Sequence, residues 1–226
     1  MRRQQGMRLD ERYVPYLQMA GLYHLARLND RWFRLDEPLV SAFVERWCPE
    51  MHTFHMPFGE CTITLQDVAY QLGLPVDGHY VSSCLTDFHV YIQSGRPAWQ
   101  WRLLESAPRG ADEATVRRYA CAYIMMLLGT QLFADKLGSR IHIRWLPYVA
   151  RLEEMGGYSW GSAALAWLYR CMCRVANRHV VNWPMASRWS GYNPGVSEKG
   201  PRVQMTRLRI DMLQPKDVSM QKTFAE

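Results

Sequence analysis

Lysine is scarce in this 226-residue chain: Lys136, Lys199, Lys216 and Lys222 stand against 23 Arg. A pyridoxal enzyme needs a Schiff-base Lys and a phosphate cradle. Three of the four Lys fall in an irregular C-terminal region, and Lys136 lies in the charged turn 134–138. That chemistry has few candidates, and no cofactor is expected. Long apolar runs are missing too. The longest, Tyr119 to Gly129, is far short of the roughly 20 residues that span a bilayer, so no membrane contact is expected. No apolar core follows Met1-Arg2-Arg3-Gln4-Gln5, so no secretory signal is read. P-loop, H-E-x-x-H, G-x-G-x-x-G and C-x-x-C patterns are all absent. The six Cys (48, 61, 84, 121, 171, 173) are irregularly spaced, which reads as reduced thiols of a cytosolic or nuclear protein. There is no internal repeat and no low-complexity tract.

What is present is an ordinary globular mix, 48% apolar and 21% charged. The net charge of +6 is uneven. Residues 1–173 carry 18 basic and 17 acidic side chains, and residues 174–226 carry 9 and 4. The surplus therefore sits at the C-terminal end. A solvated basic tail is one reading of it, and a nucleic-acid contact through the Arg-rich region is the other.

Apolar spacing predicts mainly helix. Leu17, Ala20, Tyr23 and Leu25 share a face, with Gly21 a weak point. Asp36 can cap a second helix with Pro38 in its first turn and Leu39, Val40, Phe43, Val44 and Trp47 as its stripe, ending at Cys48-Pro49. Residues 52–64 read as a β-hairpin around Pro57-Phe58-Gly59-Glu60. Thr64 to Asp67 opens a short helix with a capping box, closed by Gly73 and Pro75. Residues 76–111 are loop-rich, with Trp99, Trp101 and Leu103 able to pack a short element. A long helix is expected from about Asp112 to Phe133, with its middle, Ala120 to Leu128, apolar on every side. Ile141 to Arg144 alternates, Trp145 to Glu154 is helical, and Gly156-Gly157 breaks it. Gly161 to Ala176 should bury Leu165, Leu168, Met172 and Val175. A last helix over Gln204 to Leu213 should turn Met205, Leu208 and Met212 inward. The fold class is thus mainly α, an irregular helical bundle with one small hairpin near residues 52–64.

Four groups could carry chemistry. Cys48, His52, His55 and Cys61 have the atoms of a zinc site but no paired knuckles, and the odd His52–His55 separation puts them on opposite faces of a strand. His55, Glu60 and Asp67 could form an acid–base or hydrolytic metal set, against the plainer reading of a turn carboxylate and a helix-cap carboxylate. The run Gly156-Gly157-Tyr158-Ser159-Trp160-Gly161 could hold an anion on its backbone, or be a tight turn that packs Tyr158 and Trp160. Cys171 and Cys173 point about 200° apart on a helix. The expected assignment is no metal and no catalytic residue.

Longer stretches carry a resemblance. Residues Phe43-Val44-Glu45-Arg46-Trp47-Cys48-Pro49-Glu50-Met51-His52-Thr53-Phe54-His55, and Gly59-Glu60 through Gly73-Leu74-Pro75-Val76-Asp77-Gly78, resemble the plant mobile domain, also called the aminotransferase-like plant mobile domain. Leu132-Phe133-Ala134-Asp135-Lys136 and Tyr158-Ser159-Trp160-Gly161 through Arg170 resemble its second signature block. The resemblance implies a plant protein of a family found in host genes and in transposable elements. It implies a nuclear location, a role in meristem organisation, genome integrity and gene or transposon silencing, and a phosphatase-like partner. It implies no aminotransferase activity and supplies no catalytic residues. The chain is then expected to be a non-enzymatic interaction module. Its contact candidates are Arg46, Trp47, His52, Phe54, His55, Glu60 and Arg140, with core packing the alternative for Trp47 and Phe54. Two departures stand out. Cys48 and Glu50-Met51 replace the family's Arg and Glu-Thr. A Leu-Leu-Gln-x-Trp-Ala-Trp-like stretch expected after Ala176 is missing, and Gly200 to Leu213 resembles a later family segment. Residues 1–176 are thus expected to form the helical body, and 177–226 a truncated, basic remainder of the same domain.

Overall fold

The computed structural model describes residues 8–30, 36–82, 92–93, 96–97, 107–133, 145–176 and 199–218. The chain forms two compact units. One joins Met1–Phe33 to Thr64–Trp167, and the other joins Arg34–Ile63 to Leu168–Glu226. The described residues are mainly helical, with a small three-stranded antiparallel sheet.

In the first unit, α1 (Val14–Met19) and α2 (Tyr23–Asp30) part at Gly21, and Leu17, Ala20, Leu22, Leu25 and Ala26 are buried. Helix α4 (Leu65–Leu72) starts on the predicted capping box and ends at a left-handed Gly73. A long helix, α5 (Glu113–Met126), continues as a π-helical stretch, Leu127–Leu132. Residues Ala120 through Gly129 are buried without interruption. This matches the absence of any polar face in that stretch. Helices α1 and α6 (Leu146–Ala150) pack against α5, and α7 (Leu152–Met155) follows a break at Arg151. The region read as loop contains a short antiparallel pair, β4 (Ile92–Gln93) with β5 (Arg96–Pro97). Trp99, Trp101, Leu103 and Ile141 to Arg144 lie outside the described residues.

The glycine run near 156–161 is a docking seam for the preceding chain. The His79 N–H donates to the Gly157 carbonyl, and the Ser159 and Gly161 N–H groups donate to the His79 and Pro75 carbonyls, each at 2.8 Å. Gly78 is required there, because a Cβ would lie 2.2 Å from the Gly157 oxygen. The backbone N–H groups that an anion would need are therefore engaged within the protein. Trp160 is fully buried and donates to the Met155 carbonyl at 2.9 Å.

In the second unit, α3 (Glu37–Val44) is capped by Asp36, whose carboxylate accepts from the Leu39 N–H at 3.2 Å. It ends at Val44, earlier than predicted. Trp47–Cys48 is a strand, β1, paired with β2 (Thr53–Met56), which in turn pairs with β3 (Gly59–Cys61). Strand pairing draws Trp47 out of the helix before proline does. The core of this unit is Ala42, Trp47, Phe54, Met56, Met172 and Ile210. Its helices are α3, the end of α8 (Trp160–Ala176) and α9 (Lys199–Asp211); α10 (Pro215–Val218) follows.

Three predicted faces are corrected. On α3 the buried residues are Pro38, Ser41 and Ala42, while Leu39 is exposed. Small residues there let α9 approach closely. On α8, Ala164 and Met172 are buried but Leu168 and Val175 are exposed. On α9, Val203 and Ile210 point inward, and Met205, Leu208 and Met212 face solvent. No helix among the described residues is long and apolar enough to cross a membrane.

Candidate functional site

Alternation along β2 sets the site. Phe54 and Met56 are buried, Thr53 is half-buried and His55 is exposed. Phe54 sits opposite Trp47 on β1 and Cys61 on β3, and His55 sits opposite Glu60. The sheet therefore has an apolar back and a polar front.

Of the predicted contacts, Trp47 and Phe54 belong to the back. Their exposures are 5% and 7%. The Trp47 ring lies 5.0 Å from Phe54 and 5.2 Å from Tyr169, and its indole N–H points to Cys173 Sγ at 3.4 Å. Arg46 is mostly enclosed and pairs with Asp211 on α9. On the front, His55 Nε2 is 3.8 Å from Glu60 Oε1, with both side chains at least half exposed. Thr53 Oγ1 donates to Glu60 Oε2 at 3.3 Å.

His52 ends the β1–β2 turn at φ 53°, a left-handed conformation that His tolerates better than branched residues do. Its ring stacks on Tyr169 with centroids 5.3 Å apart. Its carbonyl accepts from Thr62 Oγ1 at 2.6 Å, and the Tyr169 hydroxyl donates to the Ile63 carbonyl. The structure thus brings His52 and Trp47 together on Tyr169, and His55 and Glu60 together on the front face. Arg140 and Lys136 lie outside the described residues.

The four zinc-type residues do not converge: among the described residues no three His, Cys, Asp or Glu side chains gather to hold a metal. Cys48 Sγ donates instead to Glu50 Oε2 at 3.3 Å. The Glu50 backbone N–H and the Cys48 thiol hold the Glu50 carboxyl below the usual range, while burial pushes the Cys61 thiol up. Asp67 closes the capping box of α4. Its Oδ2 accepts from the Thr64 N–H at 2.8 Å and from the Thr64 hydroxyl at 2.7 Å, and these bonds hold its carboxyl low. Sequence reading missed Thr53 and Tyr169. Strand alternation through Thr53-Phe54-His55-Met56 signals Thr53. Nothing local signals Tyr169, which is 107 positions from Thr62, its hydroxyl partner at 2.8 Å.

The sequence that builds this helical chain and its sheet also matches a family model. The model of the plant mobile domain fits residues 21–187, and the chain belongs to that family. Among Arabidopsis thaliana proteins it is 36% identical over 171 residues to Protein MAINTENANCE OF MERISTEMS, covering 65% of this chain and 36% of the relative. It is 33% identical over 258 residues to Protein MAIN-LIKE 2, covering 93% of this chain and 38% of the relative. That alignment is longer than the chain itself, so MAIN-LIKE 2 has residues with no counterpart here. A protein named Serine/threonine-protein phosphatase 7 long form homolog is 36% identical over 194 residues, 77% of this chain and 14% of its own length. The chain thus spans well under half of each of these relatives. No solved structure matches it.

Proposed function

We propose that this protein is a non-enzymatic nuclear interaction module of the plant mobile domain type, serving meristem organisation and the silencing of genes and transposons. The observation that carries the reading is the two-faced sheet. Trp47, Phe54 and Met56 anchor its back in the core, leaving His55, Glu60 and Thr53 at the front for a protein partner. Likeness to MAINTENANCE OF MERISTEMS supports the meristem link. A phosphatase-like partner is supported by the phosphatase-named relative, which contains a stretch like this chain. Residues 177–226 we read as a shortened remainder of the domain.

The test is affinity capture of the tagged chain from plant nuclei, with quantitative mass spectrometry. Nuclear accumulation and enrichment of a phosphatase-like protein are expected. Exclusion from nuclei, or capture without such a protein, would overturn the reading.

Exposed Arg202 and Arg209 on α9 favour nucleic acid as the second reading. Phosphate contacts release counterions, so affinity should then fall steeply with salt. Arg46 and Arg207, engaged with Asp211 and Glu45, count against it. A metal-dependent hydrolase at His55, Glu60 and Asp67 is placed last, since the Asp67 carboxylate serves a helix cap.

A further inference from the structure

Helix α9 has two apolar faces. Val203 and Ile210 form the inner one, at 0% and 3% exposure. Met205, Leu208 and Met212 form the outer one, at 54%, 54% and 78%. Met212 continues the helical pattern, its N–H donating to the Leu208 carbonyl at 3.1 Å. At 3.6 residues per turn the two faces lie roughly opposite each other. The outer spacing of three and four residues is that of a seam packing on another helix.

Charge beside the seam selects its occupant. Asp211, the only acidic residue of α9, is taken by Arg46. Arg207 forms a bidentate pair with Glu45, at 2.6 Å for each bond. Arg202 and Arg209 remain, seven positions apart, both exposed and on the same flank of the seam. A second copy docked antiparallel would set these Arg against each other. A flank of carboxylates would pair with both.

We propose that the outer face of α9 docks an acidic amphipathic helix of a partner protein. Apolar side chains of that helix fill the Met205–Leu208–Met212 seam, and its Glu or Asp residues meet Arg202 and Arg209. This surface is distinct from the front of the sheet, so its failure would leave the preceding reading standing.

The test uses the full chain and two labelled helical peptides of about three heptads. Both have Leu in the seam positions. One has Glu on the flanks and its twin has Lys. By fluorescence anisotropy the Glu peptide should bind at least tenfold tighter than its twin. Leu208→Glu and Met205→Glu should each weaken it at least tenfold, and Arg202→Glu with Arg209→Glu should reverse the preference. Melting temperatures should hold, because all four positions face solvent. Equal affinity for both peptides, or no binding of either, overturns the proposal. So does Glu-peptide binding that survives Leu208→Glu, which would mark a charge-only site of the kind nucleic acid uses. A wild-type dimer by light scattering that Leu208→Glu dissociates would assign the face to a second copy, and also overturns it.

Discussion

Trp47 and Phe54 face each other across β1 and β2, their rings edge-to-face with centroids 5.0 Å apart. This pair is the hub of the second unit. Phe43 meets Phe54 edge-on at 5.8 Å, and Tyr169 lies 5.2 Å from Trp47. Two side chains that would make attractive contact residues on an open surface are thereby enclosed. Their position decides which face of the sheet is available to a partner.

Trp47→Ala should therefore destabilise the protein by about 3–5 kcal/mol, the range for deleting a buried large aromatic. Trp47→Phe should cost less. Urea denaturation followed by circular dichroism measures both. A loss below about 1 kcal/mol for Trp47→Ala would contradict the core assignment.

Thr64→Ala should cost about 1 kcal/mol at pH 7, the usual loss for an N-cap. The Thr64 backbone N–H and hydroxyl hold the Asp67 carboxyl below its usual 3.8. A depressed folded pKa stabilises the fold above the unfolded pKa, and that stability is lost as pH falls through the folded value. The gap between wild type and Thr64→Ala should thus be full at pH 7 and shrink below about pH 4. Denaturation curves at several pH values would show it.

Capping chemistry of this kind was legible from sequence because it is local. Asp36 with Pro38, Thr64 with Asp67, and Gly73 all act within a single turn of chain. The hairpin was legible from its turn. The inward face of α9 was not. The helix is apolar on both sides, and the choice depends on Ala42 and Ile210 meeting in one core. The Arg46–Asp211 pair spans 165 positions, and no local pattern announces it. Trp47 looked helical because it continues a spacing begun at Leu39, but strand pairing with Phe54 overrode that spacing.

Cys121 should resist modification. Burial pushes its thiol up to about 12, and its Sγ lies 3.7 Å from the Val149 carbonyl. At pH 8, iodoacetamide should label half-buried Cys48 in the native protein and Cys121 only in denaturant. Peptide mapping by mass spectrometry reads the difference. Native labelling of Cys121 at the rate of Cys48 would contradict the packing around α5.

The link between α3 and α9 should be modest in energy. Glu45 and Arg207 are each 41% exposed, and exposed pairs contribute about 0.2–1 kcal/mol. A double-mutant cycle with Glu45→Ala and Arg207→Ala should give a coupling in that range, reduced in high salt. No coupling at any salt concentration would show that the pair does not hold α9 in place.

The most direct test of the proposed interaction role compares partner affinity between wild type and the double variant His55→Ala, Glu60→Ala. Both side chains are exposed, so the melting temperature should stay within a few degrees of wild type. Affinity for the phosphatase-like protein captured from nuclei should fall at least tenfold, measured by titration calorimetry. Unchanged affinity in a fully folded double variant would contradict the assignment of the sheet's front face as the contact surface.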